Sequence, residues 1–384
     1  MSGDRQSSVT LPPAAAGAVD LLIVAAEHSG DEHAARMVRE LLVGRPGLRV
    51  CALGGSRLQA AGAQLLRDLT TQSDLGIAVI ARISYYRALI AAIVEWIGRH
   101  QPKAVCFVDS SGLNLRIAQG LFERGYSAKA GGPTRTLYYI SPQIWASRAG
   151  RRFEMAKHLD GLAAIFPFEP AVYADTSLPV EFVGHPFVAP DYAAPVAYDP
   201  AGPVLLLPGS RRGAVGRIFP VLLGGFKAWG GDREAVVLYP SDEILTVLRA
   251  ANPPAGIALR RTGEGPAVAA SAVLTSSGTM SLHCALAGIP GAIAYRTDLL
   301  TYWIGRSLVK VPYLGIANLL LKEPMYPEYL QGAATPAALA TELAACQPGG
   351  ERVARTAAQT ARLHGLLTGR TQGTAAEWLA GKIP

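Results

Sequence analysis

The chain has 384 residues, half of them hydrophobic and 17% charged, with a net charge of +7. That apolar share excludes a disordered chain, and the length predicts two domains, each large enough to bury its own core. The positive balance suits an anionic partner without choosing between nucleic acid, a phosphorylated small molecule and an acidic membrane surface.

Residues 1–17 hold Asp4 and Arg5 and then a Pro- and Ala-rich run, which predicts a disordered tail and no signal peptide. A first domain is expected over residues 18–190. Its opening strand, 21–26, leads through Glu27, His28, Ser29, Gly30 and Asp31 into a helical pattern over 32–42. With a single glycine this loop is not the GxGxxG fingerprint, so a nicotinamide or flavin cofactor has no support. Glu27 either contacts a substrate or is solvated while Ser29 or Asp31 caps the helix. A strand follows at 50–53. Across 75–97, Ile83, Tyr86, Leu89, Ile90, Ile93, Val94 and Ile97 share one helical face, which reads as core or, for a lipidic substrate, as a surface that touches lipid.

A strand at 104–108 ends in Asp109, ahead of Ser110, Ser111, Gly112 and a helix over 114–124. A carboxylate at that end of a parallel strand can act as a general base; the alternative is a cap for the following helix. Strands at 136–140, 161–165 and 180–183 alternate with helices over 147–158 and 169–175. Several prolines and little periodicity mark 184–202, which sets the linker at 191–203.

The second domain, 204–350, opens with a strand at 204–207 and the turn Pro208, Gly209, Ser210, Arg211, Arg212. Arginine in such a turn binds phosphate in bidentate fashion. Further strands are expected at 235–239, 257–260, 272–274 and 292–295. Between the last two lie the small-residue turn Thr275, Ser276, Ser277, Gly278, Thr279 and a helix over 280–287. Such a turn leaves the first N–H groups of the helix free to hold a nucleotide diphosphate, unless Ser277 merely caps it. Pro266, this turn and Pro290 break the uncharged span 265–295 into pieces too short to cross a membrane. Runs near 327–330, 337–346, 352–367 and 375–382 predict closing helices, with 351–384 able to pack back on the first domain or on a partner subunit. The four cysteines lie far apart, with no CxxC pair and no metal-ligand spacing, so reduced buried thiols and no metal site are expected. The fold class is α/β: two Rossmann-like doubly wound domains facing a cleft.

Several stretches together resemble the lipid-A-disaccharide synthase family. They are Tyr139-Ile140-Ser141-Pro142-Gln143-Ile144-Trp145-Ala146, Phe166-Pro167-Phe168-Glu169, Phe182-Val183-Gly184-His185-Pro186, Leu207-Pro208-Gly209-Ser210-Arg211 and Ser277-Gly278-Thr279. A further run goes from Tyr295-Arg296 through Thr301-Tyr302-Trp303, Leu308-Val309-Lys310 and Tyr313 to Asn318-Leu319-Leu320. The resemblance implies a GT-B type fold and an inverting transfer of 2,3-diacylglucosamine from its UDP carrier to 2,3-diacylglucosamine 1-phosphate, with no metal or redox cofactor. Asp109 matches the family's essential aspartate and is the expected base, with Glu27 also catalytic. Arg211 matches the phosphate-region arginine, Asn318 a polar active-site position, and Ser277, Gly278 and Thr279 the nucleotide turn. Ser29, Gly30, Ser210, His283 and Arg296 complete the expected substrate and UDP contacts. The implied partners are the two acylated sugars and an inner-membrane surface, for a cytoplasmic protein peripheral to that membrane; nucleic acid is not among them, and a homodimer is open.

The chain departs from the family pattern at Ala26, at Ser111-Gly112-Leu113, at Ala214, at Ser147 and at His283, where a glutamate usually accepts hydrogen bonds from the nucleotide ribose. These departures motivate an alternative, a non-catalytic relative that binds a nucleotide-sugar or lipid. A UDP-sugar epimerase of the same fold has no matching segment.

Overall fold

The computed structural model describes residues 9–15, 17–70, 79–230, 234–297, 311–369, 371 and 373–384. The predicted motif runs Thr301-Tyr302-Trp303 and Leu308-Val309-Lys310, and residues 75–78 of the expected lipid face, lie outside the described residues.

Short runs of buried apolar residues, such as Leu21-Leu22-Ile23-Val24 and Val204-Leu205-Leu206-Leu207, form strands covered on both faces. The chain divides into two units, residues 1–186 with 370–384, and residues 187–369.

The first unit runs β1 (Leu21–Val24), α1 (His28–Gly44), β2 (Val50–Gly54), α2 (Ser56–Ala60), β3 (Gln64–Asp68), α3 (Val79–His100), β4 (Ala104–Val108), α4 (Ser111–Glu123), β5 (Arg135–Tyr139), α5 (Ile144–Ser147), α6 (Arg151–His158), β6 (Gly161–Ala164), α7 (Glu169–Val172) and β7 (Val180–Phe182). Its parallel sheet has the order β3-β2-β1-β4-β5-β6-β7. Strand order therefore reverses between β1 and β4, which pair from Leu21 opposite Ala104 to Val24 opposite Phe107. Helices leave to opposite faces at such a reversal, which opens a crevice beyond the strands' C-terminal ends.

The second unit holds β8 (Val196–Tyr198), β9 (Val204–Leu207), α8 (Arg212–Gly230), β10 (Ala235–Tyr239), α9 (Asp242–Ala250), β11 (Ile257–Arg261), β12 (Val268–Ala270), β13 (Ala272–Thr275), α10 (Thr279–Leu286), β14 (Gly291–Tyr295), α11 (Ile316–Leu321), β15 (Glu328–Leu330), α12 (Pro336–Ala345) and α13 (Glu351–Thr368). Its main sheet, β11-β10-β9-β13-β14-β15, reverses between β9 and β13. The final helix, α14 (Ala375–Lys382), belongs to the first unit. There Arg45 donates to Ala380 O at 3.0 Å and Lys382 pairs with Glu181 at 2.7 Å.

Several expectations change. Residues 327–330 form an edge strand rather than a helix, because the Pro327 carbonyl takes the Ile293 N–H at 2.9 Å and continues the β14 ladder. The helix expected over 147–158 is broken at 148–150 into α5 and α6. The predicted linker 191–203 carries β8, which pairs with β12 inside the second unit. The segment 351–384 splits, with α13 in one unit and α14 in the other. Of the tail expected to be disordered, Val9, Leu11 and Ala14 pack against the first unit's core, and Trp96 Nε1 donates to Pro12 O at 2.8 Å. On α3, Leu89, Ile93, Val94 and Ile97 are buried and Ile83 is exposed, so most of the apolar face is core.

Candidate active site

In the first unit the crevice between β1 and β4 is bordered by Glu27 and Asp109. Asp109 and Ser110 both have left-handed backbone, with φ of +50° and +43°. Such residues cost on the order of 1 kcal/mol each, so something must hold them. Asn114, 0% exposed, does much of this: its Nδ2 donates to the main-chain carbonyls of Asp109 (2.8 Å), Val108 (3.2 Å) and Val24 (3.4 Å), tying β1 to β4. The Tyr138 hydroxyl also donates to Asp109 O, and the Asp109 N–H donates to Tyr139 O at 3.1 Å. Asp109 is thus clamped through its main chain, which leaves the carboxyl for chemistry. Burial first, and the neighbouring Glu27 charge second, push that carboxyl above its ordinary range, against the pull of the Ser110 N–H. A raised carboxyl is a stronger base once ionised.

Helix α1 begins at His28, earlier than expected, and no side chain caps it. Asp31 caps a different helix: its carboxylate accepts from Gly55 N (2.7 Å), Arg57 N (3.1 Å) and Leu58 N (3.3 Å) at the start of α2. Glu27 and Ser29 are exposed, whereas Gly30 is buried. A Cβ on Gly30 would lie 3.5 Å from Val108 O and 3.9 Å from Asp109 Cβ, ordinary contact distances that place the start of α1 against the end of β4.

In the second unit two glycine-bearing turns lie side by side beyond β9 and β13. Gly209, at φ +109°, would bring a Cβ 3.2 Å from Ser276 Oγ, and Ser276 N donates to Leu207 O at 2.8 Å. Ser210 and Arg211 are exposed beside this contact. Helix α10 starts at Thr279 with Gly278 as its N-cap and no side-chain cap. Ser277 therefore does not cap the helix, and the exposed Gly278 and Thr279 present its N-terminus. Exposed guanidinium, small residues and an uncapped helix start are groups that can meet an anion.

Three expected contacts are placed differently. Asn318 is 0% exposed, and its amide accepts from Tyr326 N (2.9 Å) and donates to Tyr326 O (2.6 Å) and Glu328 Oε1 (2.8 Å). It is a strut in the 314–328 turn, where Glu328 also takes the Leu314 and Gly315 N–H groups. Arg296 holds the following turn, donating to Gln331 O (3.3 Å) and Ala334 O (2.8 Å). His283 is 6% exposed, stacks on Phe187 with ring centroids 3.9 Å apart, and puts Nε2 3.3 Å from the Tyr192 hydroxyl. In these placements each of the three side chains is engaged with groups of the protein itself.

The sequence reading gave no role to Asn114, Tyr138 or Glu328, since each acts through main-chain groups, which leave no mark in a sequence. Among the described residues no group of three or more His, Cys, Asp or Glu has metal-holding geometry.

A sequence profile described as lipid-A-disaccharide synthetase matches residues 21–381. The chain is 34% identical to the lipid-A-disaccharide synthase of Geobacter metallireducens, over 84% of this chain and 86% of that protein. It is 35% identical to lipid-A-disaccharide synthase 1 of Legionella pneumophila, over 81% and 83%. Among solved structures it resembles the glycotransferase of kitacinnamycin, with a TM-score of 0.58 at 13% identity over 97% of this chain and 100% of that one, a likeness of fold alone.

Proposed function

The chain belongs to the lipid-A-disaccharide synthetase family, and we propose that it joins UDP-2,3-diacylglucosamine to 2,3-diacylglucosamine 1-phosphate, releasing UDP. It is a glycosyltransferase of lipid A biosynthesis. The observation that carries the mechanism is the Asp109 carboxyl, raised by burial and fixed through its main chain at a strand-order reversal. Asp109 takes the proton from the acceptor's attacking hydroxyl, whose oxygen then displaces the diphosphate at the anomeric carbon with inversion. Glu27 supports that step by raising the basicity of Asp109. Negative charge develops on the leaving diphosphate, and Arg211 with the amides of the 275–279 turn stabilises it. Ser210 lies in the same turn as Arg211 and lines the diphosphate's path.

Work at the inner-membrane surface follows from the acylated substrates, which partition into lipid. Among the described residues no helix is long and apolar enough to cross a bilayer. Ile83, 49% exposed on α3, is a surface side chain suited to touch lipid in this reading.

Purified protein given both acylated sugars should release UDP and disaccharide in equal amounts. Retained UDP binding without product would instead favour the non-catalytic relative.

A further inference from the structure

Beyond Asp109, the C-terminal edge of the first sheet carries a second buried carboxyl that the transfer chemistry leaves unused. Glu169 is 0% exposed, and its Oε2 accepts the N–H groups of Ile165 (3.1 Å) and Phe166 (3.0 Å) where β6 ends. Its Oε1 is buried, and no hydrogen bond reaches it among the described residues. The same is true of the indole Nε1 of Trp145. The two groups are neighbours: the Trp145 ring also meets Phe166 edge-on at 6.5 Å, and the polar groups of Trp145 and Ser141, short of ordinary hydrogen-bond geometry, still oppose the rise that burial imposes on Glu169. The Trp145 ring meets Phe168 edge-on at 5.2 Å, and Phe168 stacks on Phe166 at 5.7 Å. A carboxyl that served only to end β6 would need one oxygen, and the second would be buried beside aromatic rings at a cost.

The cluster also reaches the base. Ser141 Oγ lies 2.7 Å from the Tyr173 hydroxyl. Tyr173 and Asp109 both act electrostatically on the Tyr138 hydroxyl, which donates to the Asp109 carbonyl. Strands β4, β5 and β6 are sequential neighbours, so Asp109, the 141–147 turn and Glu169 follow one another along a single edge.

We propose that Glu169 is a positioning residue: its second oxygen takes the Trp145 N–H, fixing the 141–147 turn and the indole as a wall for the acceptor sugar beside Asp109. This rests on the glycosyltransferase reading above. A half-buried indole offers an apolar face to a pyranose ring, as aromatic side chains do in ligand pockets. The ionised carboxyl is acceptor-only and can hold both the main-chain N–H groups and the indole. Protonation turns one oxygen into a donor and weakens that hold. Burial pushes Glu169 up to about 7, so the hold changes across neutral pH. Burial also raises the Tyr138 and Tyr173 hydroxyls, which stay neutral there, and Arg151 is the cation acting on Tyr138. His185 stands in the same cluster, with its ring 5.2 Å from Phe166.

The test is the emission of Trp145, taken as wild type minus Trp145→Phe, between about pH 5.5 and 8.5. A single transition near neutrality is expected in the wild type and none in Glu169→Gln. Glu169→Gln should also raise the acceptor KM about tenfold while leaving UDP affinity within about twofold. If Glu169→Gln does not fold, Glu169→Asp carries the same test through a displaced midpoint. A flat wild-type profile overturns the proposal, as does a transition that survives in Glu169→Gln and so belongs to another group. Neither emission result depends on turnover, which keeps this test separate from a failure to detect disaccharide synthesis.

Discussion

The two sheets reverse strand order at equivalent places, yet what stands there differs in kind. Between β1 and β4 the chain sets two carboxylates, Glu27 and Asp109, close enough to raise one of them. Between β9 and β13 it sets an exposed arginine, a glycine at positive φ and an uncapped helix start. A base is one atom group in one place, so the first edge spends a buried Asn114 and a buried Tyr138 on holding a left-handed Asp109. An anion can be met by many donors at once, so the second edge needs only small residues and a free helix end. The first edge should therefore fail at single side chains, and the second should yield gradually.

The largest expected effect is Asp109→Asn, with turnover down by about a thousandfold and UDP affinity unchanged in calorimetry. A rate within about tenfold of wild type would remove Asp109 from the mechanism. Arg211→Ala should cost less, roughly 10- to 100-fold in kcat/KM for the donor, because main-chain N–H groups share the load. A loss as deep as that of Asp109→Asn would show that the second edge is not distributed.

Stability sharpens the same contrast. Asn114→Ala should destabilise the chain by about 2 kcal/mol in urea titrations, since it removes a buried donor shared by the Val24, Val108 and Asp109 carbonyls. Ser277→Ala should stay within about 0.5 kcal/mol, because no side chain caps α10. Equal losses would erase the distinction. The smallest effect concerns pH. Asp109 works ionised, so the acid limb of the rate profile follows its raised carboxyl. Glu27→Gln removes a repelling charge, lowers that carboxyl, enlarges the ionised fraction at a given pH and moves the limb to lower pH, by less than about one unit. An unmoved limb would assign the whole rise to burial.

Much of the fold was legible because buried parallel strands announce themselves as unbroken apolar runs: 104–108 and 204–207 are strands with those bounds. The edge strand Glu328–Leu330, half-buried throughout, carries no such signal and reads as a helix in sequence. Asp109 was legible at a strand end, and so was the turn before α10. Asp31 and Asn318 were misplaced for one reason: their partners are main-chain groups, and main-chain groups look alike in every sequence.

By itself, then, the sequence determined the alternation of strand and helix and the two-domain plan, because composition and periodicity record burial directly, and it carried the family in an ordered set of motifs. Tertiary structure alone decided which of the polar residues stay open to a ligand. Burial of a carboxyl or an amide, and the main-chain partner that consumes it, depend on segments brought together from far along the chain. That is why Asp109 emerges with a raised carboxyl, Asn318 as a strut and Glu169 as a buried carboxyl of which only one oxygen meets main-chain N–H groups.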